Sequence, residues 1–244
     1  MGAKFLVSAW IRTLFPPICR SCGDSFREGL SNILCASCFE AIRPYNLPTC
    51  SHCGEGLPER AFEEASITRC RDCGEGEYTI DQTLAFGPYE GPLRLAHHAF
   101  KFEGMEHLAD VLGAKMAELA SGFGPVDALV PVPVRPERER ERGYHPTRLL
   151  AQEVSRRTGV PIRELICKAK PTPAQVSLTE TERLKNLQGA FEVTEKLNPS
   201  SRLVLVDDVF TTGGTLEECA ATLKSCGIPW VGALVLGRTP RVGR

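Results

Sequence analysis

The sequence predicts an α/β fold, a parallel sheet flanked by helices, with a cysteine-rich module ahead of it. Three observations predict this. Short apolar runs at Ala128 to Val134, Leu203 to Val206 and Val231 to Leu236 alternate with helical stretches, the pattern of strands buried on both faces. Eight of the eleven cysteines form four Cys-x-x-Cys pairs between Cys19 and Cys73. The length, 244 residues, accommodates one catalytic core and a smaller appended module. The division expected is an amphipathic helix at 1–17, the cysteine-rich module at 18–76 and the α/β domain at 77–244.

Phe5, Trp10, Ile11, Leu14 and Phe15 supply the apolar contacts of the first helix, and Pro16 and Pro17 stop it. The same segment has the positive charge and short apolar run of a signal peptide, but it lacks a small-x-small cleavage site and Arg12 interrupts the run. No stretch approaches the length needed to cross a membrane, so no stable membrane insertion is expected. The formal charge of -1 makes the whole chain no electrostatic magnet for nucleic acid, and any such binding has to be local. A cytoplasmic location is the expectation, with metal rather than disulfides at the cysteine pairs.

Residues 18–76 are poor in continuous apolar runs and cannot bury much unaided. A strand is expected over Ile80 to Phe86. Pro92 then opens a helix, and Gly104 separates it from a second, Met105 to Ser121, with Leu108, Val111, Leu112, Met116 and Leu119 on one side. The strand at Ala128 to Val134 leads through a charged tract to a helix over Thr147 to Arg157, stopped by Gly159. Residues 168–190 have no steady period and contain Pro171 and Pro173, which reads as a long loop; such a loop inside a compact domain is usually functional. A helix from Leu216 to Cys226, capped by Gly227, turns Leu216, Cys219, Ala220 and Leu223 inward between the last two strands. In a sheet of this kind functional residues sit in loops after the carboxyl ends of strands.

The gaps between successive cysteine pairs are 12, 11 and 16 residues, and Gly23, Gly54 and Gly74 follow Cys22, Cys53 and Cys73, as a tight metal knuckle requires. Four thiolates complete one tetrahedral Zn2+, so eight complete two and leave no position open to water or substrate, which points to structural zinc. Sequential sharing places Cys19, Cys22, Cys35 and Cys38 on one ion and Cys50, Cys53, Cys70 and Cys73 on the other, with the shortest loops. Interleaved sharing and an iron–sulfur cluster are the alternatives. His52, inside the third pair, is expected to be exposed and not a ligand. Whether the ribbons contact nucleic acid, contact protein or act as struts stays open.

Arg202 to Thr215 reads RLVLVDDVFTTGGT. Asp207 and Asp208 emerge at the end of a buried strand; because side chains alternate along a strand, both can reach one ligand only if the backbone turns there. Carboxylates beside a phosphate site make sense if they hold sugar hydroxyls or Mg2+. Thr211, Thr212, Gly213, Gly214 and Thr215 then offer converging amides, hydroxyls and a helix N-terminus to an anion. Neither a Walker A lysine nor a GxGxxG fingerprint is present. Arg135, Arg138, Arg140 and Arg142 alternate with Glu137, Glu139 and Glu141, a pattern that a solvated face also produces; their place after a buried strand favours anion binding. His97 and His98 are adjacent, which is more often a surface feature.

The segment LVLVDDVFTTGGT resembles the phosphoribosyl pyrophosphate signature of type I phosphoribosyltransferases. Together with the cysteine-rich N-terminus, PVPVRPERERERGYHP and PTPAQVSLTETERLKNLQGAF, it makes nearly the whole chain similar to the ComF family of competence-associated phosphoribosyltransferase-like proteins. The resemblance implies a type I phosphoribosyltransferase-like sheet behind a double zinc ribbon, with phosphoribosyl pyrophosphate and Mg2+ as ligands. It assigns Asp207 and Asp208 to the ribose 2- and 3-hydroxyls, directly or through Mg2+. Val209 and Phe210 lead into Thr211 to Thr215, which wrap the 5-phosphate. Arg138, Arg140, Arg142 and Gly143 fall on the pyrophosphate side, and Lys101 near the substrate. The loop from Lys168 to Gly189, with Gln175, Arg183 and Asn186, resembles the segment that covers the site. His145-Pro146 departs from the usual Asn-Gln. If the protein is an enzyme it is a pentosyltransferase of unassigned acceptor. The other role implied is a binding module of the DNA-uptake machinery, with single-stranded DNA and competence or helicase proteins as partners.

Overall fold

The computed structural model describes residues 16–46, 48–63, 67–74, 76–168 and 189–240. The expected N-terminal helix, apart from its two prolines, and the covering loop with Gln175, Arg183 and Asn186 lie outside the described residues. In chain order the cysteine-rich module contributes β1 (Gly29–Leu30), β2 (Leu34–Cys35) and α1 (Ala36–Glu40). The rest is β3 (Gln82–Pro88), α2 (Gly91–Phe102), α3 (Leu108–Ala117), β4 (Ala128–Pro131), α4 (Pro136–Arg142), α5 (Pro146–Thr158), β5 (Ile166–Lys168), β6 (Phe191–Val193), β7 (Arg202–Phe210), α6 (Gly214–Ser225) and β8 (Trp230–Arg238).

Four strands form one wholly parallel sheet in the order β3-β8-β7-β4, and β5 and β6 form a separate antiparallel hairpin. The apolar runs fill both faces of the sheet, as expected. Val204, Val206, Leu234 and Leu236 pack with Phe100, Leu112 and Leu150 of α2, α3 and α5. Leu203, Leu205, Val231 and Ala233 pack with Leu216, Cys219, Ala220 and Leu223 of α6 and with Phe191 of the hairpin. Each large aliphatic or aromatic side chain buried in this way contributes about 1.5–3 kcal/mol.

Of the boundaries that differ from expectation, two have plain local reasons. β3 begins at Gln82, because the Asp81 carboxylate accepts from the Val231 amide at 2.7 Å and pairs with Lys224. β4 stops at Pro131: Val132 still donates to the Val206 carbonyl at 2.9 Å, but Pro133 has no amide hydrogen to continue.

The cysteine-rich module straddles the β3 edge. Cys19, Phe26, Ile33 and Leu34 join the core beneath α2 and α3, while Cys50, Cys53, Leu57 and Cys73 join the core on the α6 side. Between the two halves the Tyr45 amide donates to the Phe86 carbonyl at 2.9 Å, and Thr83 donates to the Ser51 carbonyl at 2.7 Å. The module therefore covers an edge that would otherwise be open to strand pairing.

Candidate functional site

The eight paired cysteines gather into the two sequential sets, Cys19, Cys22, Cys35 and Cys38, and Cys50, Cys53, Cys70 and Cys73, the four sulfurs of each lying within 4.8 Å of one another. All eight are free thiols. Cys22 and Cys35 are 3.8 Å apart at sulfur, and Cys53 and Cys70 3.7 Å. A zinc tetrahedron with bonds of about 2.3 Å has edges of about 3.8 Å, so these sets fit two structural zinc ions. The glycines after the knuckles take φ of 83°, 70° and 44° at Gly23, Gly54 and Gly74, the conformation a side chain disfavours. The expectation that His52 is exposed is corrected: it is buried, because its ring stacks on Tyr78 with centroids 3.4 Å apart.

At the carboxyl edge of the sheet a cavity of about 850 Å³ opens between α2, α4 and the end of β7. Its lining includes Asp207, Asp208, Val209, Thr211, Thr215, Lys101, Arg138 and Arg142, all singled out from the sequence. It also includes Tyr89, His97, Phe102, Arg135 and Lys168. The backbone does not turn at the two aspartates, contrary to the condition inferred for both to reach one ligand. β7 runs straight on, pairing Asp207 with Val235 and Val209 with Gly237. Both carboxylates reach the cavity because β4 has already ended at Pro131, so the end of β7 is uncovered along that edge.

The two aspartates have different surroundings. Asp208 is buried and meets Lys101 Nζ and, at 3.1 Å, His97 Nε2; His97 Nδ1 in turn lies 2.7 Å from the Tyr89 hydroxyl. Burial works to raise the Asp208 carboxyl, but the charges of Lys101 and His97 overcome it and hold it well below the usual carboxylate range. Among the described residues no cation forms an ion pair with Asp207, whose Oδ1 accepts from the Asp208 amide at 2.8 Å. Burial, then the neighbouring Asp208 charge, pushes it up to about 7. Lys168, across the cavity, is shifted down by burial and by Arg135.

The anion loop follows directly. Gly213 has φ of 83° and caps α6, and a Cβ there would collide with the Phe210 ring, so the tight corner requires glycine. Phe210 thus serves as the floor of the loop and is not among the cavity-lining residues. Thr212, Gly213 and Gly214 supply backbone around the α6 N-terminus and likewise fall outside the lining. On the opposite wall, α4 carries the arginines. Arg142 lies 5.7 Å from the Phe102 ring centroid, and Arg138 pairs with Glu141 at 2.9 Å. Arg140 bonds the Pro136 carbonyl and pairs with Glu137, and it is not brought to the cavity. His145, where the resemblance leads one to expect an amide side chain, caps α5 by accepting from the Arg148 amide at 3.2 Å, and burial shifts it down.

His97 and Tyr89 were missed from the sequence. His98 is indeed exposed, but His97 is 2% exposed. The available signal was helical spacing: His97 lies four residues before Lys101, so both face one way on α2.

A Double zinc ribbon domain model matches residues 10–74. The chain is similar to Competence protein F of Haemophilus influenzae, 32% identical over 206 residues that span 81% of this chain and 86% of that protein. It is similar also to Competence protein ComFC of Bacillus subtilis, 26% identical over 231 residues, 86% of this chain and 90% of the relative. Among solved structures, the purine phosphoribosyltransferase from Pyrococcus horikoshii aligns with a TM-score of 0.33 and 19% identity over 55% of this chain and 77% of that one. No helix among the described residues is long and apolar enough to cross a membrane.

Proposed function

The chain belongs to the ComF family, and on that premise we propose that its cavity binds phosphoribosyl pyrophosphate with Mg2+ in the service of DNA uptake during natural competence. The observation that carries this reading is the sequence of groups along one edge: Asp207 and Asp208 at the uncovered end of β7, then the Thr211 to Thr215 loop at the α6 N-terminus, facing the Arg138 and Arg142 wall. Loop amides and hydroxyls, with the α6 dipole, suit the 5-phosphate. The carboxylates suit the ribose diol, and guanidinium groups suit a diphosphate leaving group.

The site also fits Mg2+, which is commonly held by one or two carboxylates and the ligand's own phosphates. Asp207 is the carboxylate available, since Asp208 is already engaged by Lys101 and His97. When bound, the ion supplies neutralisation of diphosphate charge. If transfer occurs, the chain's own contribution is positioning and charge. Arg138 and Arg142 stabilise the departing diphosphate, the loop fixes the phosphate end, and Asp208, locked by Lys101, fixes the sugar. The reaction class is pentosyl transfer from phosphoribosyl pyrophosphate.

A non-catalytic single-stranded DNA module is the second reading, favoured by the cavity rim. Phe102 is 61% exposed there, with Arg142 against its ring. An exposed aromatic beside fixed cations is a platform on which bases stack. Calorimetry with phosphoribosyl pyrophosphate and Mg2+ tests the first reading: saturable binding to the wild type, lost in Asp207→Ala/Asp208→Ala, supports it. Absence of binding to the wild type overturns it. A parallel titration with single-stranded DNA tests the second reading through Phe102→Ala, which is expected to weaken DNA binding.

A further inference from the structure

The second cysteine cluster and the anion loop are joined by buried contacts that neither a zinc strut nor a phosphate loop requires by itself. Arg238, the last residue of β8, is 1% exposed. Its Nη1 donates to the carbonyl oxygens of Phe210 at 3.3 Å and Thr211 at 2.9 Å. Its Nε lies 3.5 Å from Glu55 Oε2, two residues past Cys53. The Phe210 ring is also met edge-on by His52, from the same knuckle, at 5.9 Å. His52 Nδ1 is 3.4 Å from Oε1 of Glu217, in the first turn of α6, and Oε2 of Glu217 accepts from the Thr79 amide at 2.8 Å.

These contacts have a physical consequence for the loop. An anion cradle needs its peptide N–H groups turned toward the ligand and its carbonyls turned away. One guanidinium holding two successive carbonyls keeps that part of the loop in a single orientation. A buried guanidinium is stable only if it is paired, and its carboxylate partner is Glu55, beside the second cluster. The first cluster has a different attachment: its knuckle reaches the end of α2 through Arg20 and Glu103, 2.7 Å apart.

We propose that Arg238 is a positioning residue for the anion loop, and that the second zinc centre, through Glu55 and His52 on its knuckle, holds that loop in its anion-binding form. The proposal rests on the reading of Thr211 to Thr215 as the phosphate loop. Zinc in the second cluster is then a determinant of phosphate binding at a site it does not touch.

The test is amide hydrogen exchange of the full chain without ligand, paired with calorimetry using phosphoribosyl pyrophosphate and Mg2+ and with zinc analysis of each variant. Cys70→Ser empties the second cluster without removing an Arg238 partner. Arg238→Met removes the guanidinium, and Arg238→Lys restores the charge alone. Cys70→Ser and Arg238→Met are each expected to speed exchange across residues 211–215 and to weaken binding by about tenfold or more, with β7 and β8 still protected; Arg238→Lys recovers part of the loss. In Cys22→Ser the faster exchange is expected around the first cluster and not at 211–215. His52→Gln, a milder change that keeps all eight thiolates, should show the same direction at 211–215 if the larger variants fail to fold. Unchanged exchange at 211–215 after loss of the second zinc, or an equal rise in Cys22→Ser, overturns the coupling. If the wild type binds no phosphoribosyl pyrophosphate, the phosphate-loop reading falls and the binding half of the proposal with it, while exchange still decides the coupling.

Discussion

The corner between β7 and α6 and the corner between β4 and α5 lie on opposite sides of one cavity, yet they are built differently. The first is held by buried groups: Phe210 under Gly213, Arg238 on the loop carbonyls, and Asp208 between His97 and Lys101. In the second, α4 is held by surface charge: it buries no residue, and its Arg138 and Arg140 pair with glutamates three residues away. Exposed pairs of that kind are worth little and exchange readily with other partners. The difference teaches a division of labour. A sugar and its terminal phosphate have one shape and suit a preorganised corner. A diphosphate that departs suits a wall whose guanidinium groups can leave their glutamates and follow it.

The largest expected effect breaks the buried corner. Lys101→Met leaves the buried Asp208 without its ammonium partner, and breaking a buried pair from one side costs about 3 kcal/mol. Urea denaturation should show that loss, and Lys101→Met/Asp208→Asn should recover most of it, since both charges are then gone. A loss of the same size in the double variant would mean that Lys101 stabilises through packing alone.

Gly213→Ala comes next. The residue would have to adopt φ of 83° and press its Cβ on the Phe210 ring, a strain of about 2 kcal/mol. Melting should fall, and phosphoribosyl pyrophosphate binding should fall with it as the loop shifts. Wild-type binding by a destabilised variant would separate the loop from the ligand.

Asp207 gives a smaller effect with a distinctive pH dependence. Its carboxyl is pushed up to about 7 in the folded chain, against about 3.9 for an unperturbed aspartate. Between those values the native state holds a proton that the unfolded chain has lost, so this group's stabilising contribution declines as pH rises from about 4 to about 7 and is level above that. Asp207→Asn removes the dependence and keeps an oxygen for the Asp208 amide. Its melting temperature should match the wild type at pH 4 and exceed it at pH 8. A gap independent of pH would place the titrating proton elsewhere.

What the sequence made legible follows the same contrast. The strands, the cysteine pairs and the RLVLVDDVFTTGGT corner depend on local pattern: apolar runs, fixed spacing, and glycines where the backbone needs them. The partners of that corner depend on tertiary approach. Nothing near Asp208 in the sequence announces His97, which lies on a helix more than a hundred residues earlier, or Arg238 at the carboxyl end of the neighbouring strand. His52 was misread for the same reason, because its stacking partner Tyr78 lies beyond the second pair of its own cluster. The expected turn at Asp207 failed because strand alternation was considered without the early end of β4.

The surface-held corner should be the more tolerant one, and α4 contains its own control. Arg142 lines the cavity, whereas Arg140 is tied back to Pro136 and Glu137 outside it. Neither side chain supports the core, so Arg142→Ala and Arg140→Ala should each leave stability within about 0.5 kcal/mol. Their effects on diphosphate binding should separate: about tenfold weaker for Arg142→Ala, the scale of one charge-assisted hydrogen bond, and little change for Arg140→Ala. Inorganic pyrophosphate, titrated by calorimetry at two salt concentrations, is the direct probe, since it isolates this wall from the sugar corner. Equal losses would show that α4 acts through its summed field rather than through fixed contacts. That outcome would return the alternating Arg-Glu tract to the solvated face its composition also allows, and would leave the buried corner as the part of the cavity that selects its ligand.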